Sequence, residues 1–138
     1  MKHSIYTVLN SAYMTFGKIF VHNLDNCKYF FILDAGLTPS DRGWLSQFEP
    51  VHFLDSELNT EFKNGNTSSD WTDTVVAKTY GLRELVKMND KVTPIVMIDS
   101  DCMILQNISS LIDMNKDIQI CNRPAHHTPM LGSYVSIN

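Results

Sequence analysis

Val96-Met97-Ile98-Asp99-Ser100-Asp101-Cys102-Met103 is a short apolar strand that empties directly into two carboxylates, and the fold can be read outward from it. The apolar run opens at Pro94, a residue that a strand tolerates only at its beginning. Upstream lies a helix-period segment whose apolar face runs Trp71, Val75, Leu82, Leu85 and Val86. Asp70 is its N-cap, Asp73 sits in its first turn, and Arg83 and Lys87 stand toward its end, an order of charges that suits the helix dipole. A helix that delivers the chain to a buried strand is one unit of an α/β fold, and the same unit repeats toward the N-terminus. Residues 51–54 form a short strand, while residues 55–69 are polar, contain Asn64-Gly65-Asn66 and make a loop near the top of the sheet. Thr38-Pro39-Ser40-Asp41 starts a helix that carries Trp44, Leu45 and Phe48, and the strand before it, residues 29–33, ends at Asp34-Ala35-Gly36. Residues 5–9 are rich in β-branched and aromatic side chains, and Tyr13, Phe16, Phe20, Val21 and Leu24 continue at helical spacing from near Ser11. The pattern predicts an α/β domain over residues 1–138, a mostly parallel sheet flanked by helices.

Composition excludes several classes of partner. With 43% apolar and 19% charged residues the chain has the make-up of one soluble globular domain. Eleven Lys and Arg against fifteen Asp and Glu, a net charge of -4 and a pI near 5.6 argue against a protein that grips nucleic acid by its phosphates. No apolar run approaches the ~18 to 20 residues of a transmembrane helix. Asn10 and Ser11 break the N-terminal apolar stretch and no small-residue cleavage site comes after it, so the expected location is the cytoplasm. Cys27, Cys102 and Cys121 are too few and too widely spaced for a disulfide framework or a structural zinc site, and they read as buried thiols. The triplets Asn66-Thr67-Ser68 and Asn107-Ile108-Ser109 match the glycosylation pattern by coincidence in such a location.

The chemistry concentrates at Asp99 and Asp101. In open α/β sheets ligands bind beyond the carboxyl ends of the strands, where these two residues stand. Strand alternation would put both carboxylates on one side and Ser100 on the other. Paired hard oxygen ligands suit Mg²⁺ or Mn²⁺, with a diphosphate completing the coordination sphere. Two plainer alternatives stand beside this reading, a chance Asp-x-Asp and an Asp that caps a turn. A third is a phosphatase of the haloacid dehalogenase type, which also places Asp-x-Asp after an apolar strand. That class expects Thr or Val where this chain has Met103, and needs more downstream motifs than the 37 residues after Asp101 accommodate.

The longer segment from Asp99 through Cys102, Met103, Ile104, Leu105, Gln106, Asn107, Ile108 and Ser109 to Leu111 resembles the Asp-x-Asp segment of nucleotide-sugar-dependent glycosyltransferases of the GT-A fold. The similarity is to the group containing glycogenin and bacterial lipopolysaccharide galactosyltransferases, where the motif is followed by an apolar strand and then an Asn-Ile or Asp-Leu that starts a short helix. Leu9-Asn10-Ser11-Ala12-Tyr13 resembles that family's uridine-binding turn, and Ala77-Lys78-Thr79 resembles its Phe-Thr-Lys segment, whose basic residue approaches the donor. The resemblance implies a Rossmann-like GT-A domain that transfers a sugar from a nucleotide-diphospho-sugar, a UDP-sugar, to a saccharide, lipid-linked or protein acceptor with Mn²⁺ or Mg²⁺ as cofactor. It implies donor contacts from Leu9, Asn10, Tyr13, Lys78, Asp99, Ser100 and Asp101, with Asp99 and Asp101 on the metal, Asp101 the more direct ligand and Asp99 shared with the ribose.

The family's third metal ligand is a His far downstream, which His126 and His127 do not match, and Met130-Leu131-Gly132-Ser133-Tyr134 stands where the family has Asn-Ser-Gly. On this reading the chain is the donor-binding part of a larger fold, truncated on its C-terminal side. The competing reading is a non-catalytic α/β module, a truncated relic or one part of an oligomer joined through an exposed sheet edge.

Overall fold

The apolar runs become four parallel strands, β1 (His3–Leu9), β2 (Cys27–Asp34), β3 (Val51–Asp55) and β4 (Ile95–Ile98). The computed structural model describes residues 2–24, 27–55, 68–90, 92–105, 107–120 and 134–137. Two further strands, β5 (Ile118–Ile120) and β6 (Tyr134–Ile137), complete a six-stranded sheet of order β3-β2-β1-β4-β6-β5. In it β6 runs antiparallel to both β4 and β5. Among the described residues three helices flank the sheet: α1 (Met14–Val21), α2 (Pro39–Leu45) and α3 (Ser68–Met88). The fold is therefore α/β, Rossmann-like, with a mostly parallel sheet.

Near-continuous apolar runs mark strands covered on both faces, and the two cores show this directly. Ile5 and Leu9 of β1, Phe30 and Ile32 of β2 and Val96 and Ile98 of β4 meet Met14, Phe20 and Val21 of α1 and Leu45 of α2 on one face. Tyr6, Leu33 and Ile95 point the other way, onto Ala77, Leu82 and Leu85 of α3. The face changes between β3 and β4, because β4 joins the sheet on the far side of β1 from β2. The outgoing and returning connections therefore diverge at the carboxyl ends of β1 and β4, the topological switch point of such sheets.

Both long helices are phased differently from the sequence pattern. A 3₁₀ turn over Ser11–Tyr13 precedes α1 and shifts the phase of that helix, since the turn advances 3.0 rather than 3.6 residues per revolution. The buried stripe is Met14, Gly17, Phe20 and Val21, and Phe16 is 42% exposed. In α3, which starts at Ser68 rather than after an Asp70 cap, Val75 and Val86 are 40% and 39% exposed, and Ala77, Leu82 and Leu85 face the sheet. Trp71 contributes no described side chain. Glycines stand on the sheet-facing side of both helices. A Cβ on Gly17 would lie 2.6 Å from Cδ2 of Leu9, and one on Gly81 would overlap the hydroxyl of Tyr6. Each helix touches the sheet through a residue that hydrophobic periodicity cannot register.

After the strand β4 the chain does not continue into another strand, as the resemblance implied. Residues 102–105 lie outside the sheet, with Cys102 and Ile104 packed on the α1 face and Met103 and Leu105 exposed. Asn107 then caps a 3₁₀ turn over Ile108–Leu111, accepting from the Ser109 amide at 2.9 Å. Cys27 and Cys102 are thiols outside any disulfide, and burial pushes the Cys27 thiol up to about 11. Cys121, Asn66 and the Asn64-Gly65-Asn66 loop lie outside the described residues. Among the described residues no helix is long and apolar enough to cross a membrane.

Two positions test this packing. Thr7, in the centre of β1, is 1% exposed and its hydroxyl has no hydrogen-bond partner among the described residues. A buried hydroxyl without a partner is destabilising, so Thr7→Val should raise the unfolding free energy by about 1 kcal/mol in urea titration. Gly36 ends the turn after β2 at φ 112°, outside the range of L side chains. Gly36→Ala should lower stability by about 1–3 kcal/mol in the same assay.

Candidate functional site

The carboxyl edge of the sheet collects the polar residues. Leu9 of β1 is paired with Asp34 of β2, and Asp34 with Asp55 of β3, so three strand ends lie level. Beside β1, Tyr6 pairs with Met97, which puts the end of β4 and its Asp99 at the same edge.

The turn after β1 is built by side chains. Asn10 is extended (φ -126°, ψ 174°) and 5% exposed, and its Oδ1 accepts from the Tyr13 amide at 3.1 Å. That oxygen thus serves as an N-cap. Tyr13 is half-buried against the α1-side core, its ring 5.9 Å from that of Phe16. The Ser11 hydroxyl donates to Asp41 at 2.5 Å and accepts from the Thr38 amide at 2.7 Å. The Leu9 carbonyl accepts from Ala35 at 3.0 Å. These bonds stitch the first two βα turns together across 26 to 30 residues of sequence.

A second cluster lies beside this turn. One carboxylate oxygen of Asp34 accepts from the Gly36 and Leu37 amides at 3.0 and 2.8 Å, closing the turn after β2. Its other oxygen takes Nη1 of Arg42 at 2.7 Å, and Nη2 of Arg42 reaches Asp55 at 2.9 Å. The guanidinium also lies 4.5 Å above the Phe53 ring. The bonds to Asp55, and the charges of both carboxylates, hold Arg42 above its ordinary pKa. Arg42, Asp34, Asp55, Ser11 and Asp41 were not candidates on sequence grounds. The recurrence of Asp at successive strand ends is a sequence signal for Asp34 and Asp55, while Ser11, Asp41 and Arg42 carry none of that kind.

At β4 the structure changes the expected geometry. The strand stops at Ile98, and the Cys102 amide donates to the Asp99 carbonyl at 3.0 Å, so Asp99, Ser100, Asp101 and Cys102 form a tight turn. Strand alternation therefore does not apply to Asp99 and Asp101, and a turn brings the two carboxylates to one edge. Asp101 is exposed and the Asp99 side chain is 34% exposed.

Lys78 meets this turn from α3. Its ammonium donates to Oδ1 of Asp99, and its side chain is 17% exposed. Burial lowers the Lys78 pKa, and the nearby charges of Cys102 and Asp101 work against that shift. The backbone of the same residue is anchored from below. Tyr6, fully buried in β1, donates its hydroxyl to the Lys78 carbonyl at 3.0 Å, an approach that Gly81 leaves open. Burial raises the Tyr6 phenol far above its usual pKa, so it remains a donor.

Of the residues singled out in the sequence, Lys78, Asp99 and Asp101 come together at the end of β4, while Leu9, Asn10 and Tyr13 stand at the end of neighbouring β1. Ser100 is half-buried in the turn between the carboxylates. Leu9 is 1% exposed and belongs to the core. His126 and His127 lie outside the described residues, as does the segment of residues 130–133. Among the described residues no three His, Cys, Asp or Glu converge as a metal cage. A cleft of about 130 Å³ lies at the opposite, amino edge, lined by His3, Asn23 and Asn107 among others, away from the carboxylates.

No protein-family model matches the chain, and no curated protein is similar to it. Among solved structures it is similar to the bifunctional glycosyltransferase WbbM in its apo form, at 16% identity and a TM-score of 0.47. The match covers 80% of this chain and 20% of that one, so the chain spans a fifth of its length.

The stitched βα turns make a pH prediction. Hydrogen bonds from Ser11 and then Thr38 lower the Asp41 pKa. A carboxyl depressed in the folded state stabilises above its unfolded pKa of about 3.9, and that contribution is lost as the pH falls through the lower folded value. Asp41→Asn should therefore melt below the wild type at pH 6, and the gap should close as the pH falls below the unfolded value. A gap independent of pH in calorimetric melts would assign the effect to lost packing instead.

Proposed function

We propose that the carboxyl edge between β1 and β4 binds a nucleotide-diphospho-sugar, a UDP-sugar, and that the chain is the donor-binding portion of a metal-dependent glycosyltransferase. The observation that carries this reading is the meeting of Lys78, Asp99 and Asp101 at the switch point, next to the Asn10 turn. A diphosphate needs cationic partners, and a base and ribose need a turn beside them. The neighbouring ends of β1 and β4 offer both side by side.

The donor set also fits Mn²⁺ or Mg²⁺. Magnesium-like cations are usually held by one or two carboxylates plus substrate phosphates, not by an all-protein cage. Asp99 and Asp101 are such a pair, and the Lys78 ammonium on Asp99 acts there as a stand-in cation. When bound, the metal supplies neutralisation of the charge on the departing nucleoside diphosphate. The residues of the chain do the rest. Asn10 fixes the shape of the turn that faces the nucleoside, Tyr13 offers a ring edge at that turn, and Lys78 carries a mobile positive charge to the phosphates.

Isothermal calorimetry with UDP in the presence of MnCl₂ tests the proposal. The wild type should bind, and Asp101→Ala should lose at least about tenfold in affinity, equivalent to about 1.4 kcal/mol. An Asp101→Ala protein that binds UDP and Mn²⁺ unchanged would overturn it.

A further inference from the structure

The Lys78 ammonium rests on the carboxylate that a divalent cation would use. We infer that Lys78 is a resident counter-cation for Asp99, which a divalent cation replaces only when a diphosphate draws the ammonium away, so that cation and diphosphate bind as a coupled pair. The inference rests on the nucleotide-diphosphate reading above and adds to it an order of events and a residue that enforces it.

Three features of the structure carry it. First, the contact is partly withdrawn from water, with side-chain exposures of 17% for Lys78 and 34% for Asp99. An ion pair in that setting is screened less than one on the open surface, and an incoming cation meets the ammonium at close range. Second, the backbone of Lys78 is fixed. The buried Tyr6 hydroxyl holds its carbonyl at 3.0 Å, and the contact depends on the absence of a side chain at Gly81. The ammonium can therefore change partner only by swinging its flexible four-carbon stem, with the helix staying in place. Third, the other strong cation of this edge is not available for such a swing. Arg42 is forked between Asp34 and Asp55 and lies over Phe53. Among the described residues, the mobile charge at the β4 turn is Lys78.

The consequence is a pair of effects with opposite signs. Removing the ammonium uncovers Asp99 and should tighten the binding of Mn²⁺ alone, while removing a phosphate partner should weaken UDP. Lys78→Met keeps the length and apolar stem of the side chain and deletes the charge. Titrations of wild type and Lys78→Met with MnCl₂ alone, UDP alone and each in the presence of the other give the coupling factor from both directions, and the two must agree by linkage.

We expect Lys78→Met to bind Mn²⁺ alone about tenfold more tightly, to bind UDP more weakly and to show a smaller coupling factor. Lys78→Arg, which keeps the charge, should stay near the wild type for Mn²⁺ alone. In the wild type the Lys78 side-chain Cε–Hε NMR signal, identified by its loss in Lys78→Arg, should shift when UDP is added without metal. This reading survives even if Lys78→Met fails to fold. Unchanged or weaker Mn²⁺ binding in Lys78→Met, or an unmoved Lys78 signal on UDP addition, overturns the inference while UDP and Mn²⁺ binding by the wild type leaves the proposed function standing. A wild type that takes up neither UDP nor Mn²⁺ overturns both.

Discussion

A parallel strand must be covered on both faces, and that requirement organises this molecule from β1 outward. Ile5 and Leu9 face α1 and α2, while Tyr6 faces α3. Because connections between parallel strands are right-handed, a sheet that grows first toward β3 and then restarts on the other side of β1 must carry its helices on opposite faces. The connections then diverge at the carboxyl ends of β1 and β4. The juxtaposition of Asn10 and Asp99 at neighbouring strand ends is thus a by-product of hiding apolar strands from water.

Among the described residues five carboxylates stand at that edge, and they differ in how each is satisfied. Asp34 is consumed by two backbone amides and Arg42, Asp41 by two hydroxyls, and Asp55 by Arg42. All of these partners are backbone groups, short side chains or a guanidinium held in two places. They fix the turns after β1, β2 and β3 relative to one another. Asp99 differs, because its partner is an ammonium at the tip of a long stem, and Asp101 is exposed in the same turn. Rigid partners make a scaffold. A partner on a flexible four-carbon stem beside an exposed carboxylate is the less rigid arrangement.

The order of strands and helices was legible in the sequence because it rests on periodicity, and so was the pair of carboxylates, because an apolar strand that stops at Asp-Ser-Asp is a local pattern. What escaped was set by contacts between distant residues or by the absence of a side chain. Gly17 and Gly81 are core positions only because Leu9 and Tyr6 come to meet them. Phe16 turns outward because three residues of 3₁₀ geometry change the phase of α1. Ser11 and Asp41 are a pair only in three dimensions, and nothing local marks Arg42 as the brace between two strands. The pairing of Asp99 and Asp101 was anticipated for the wrong geometric reason, since a turn and not strand alternation brings them to one edge.

The Tyr6, Gly81 and Lys78 contacts show how the buried side of the fold reaches the exposed chemistry. A phenol at 0% exposure must find an acceptor, and the carbonyl of Lys78 is the one it finds. That bond requires α3 to lie close to β1, which Gly81 permits, and it sets the height at which the Lys78 stem leaves the helix. The same helix turn therefore carries a fixed end, the carbonyl facing the core, and a free end, the ammonium facing the edge. Were the helix to sit farther out, burial of Tyr6 would lose its acceptor and the ammonium would lose Asp99 together. Core packing and the position of the charge at the carboxyl edge are consequently one constraint. A change that loosens the first should be felt in the second even though no core residue touches a ligand.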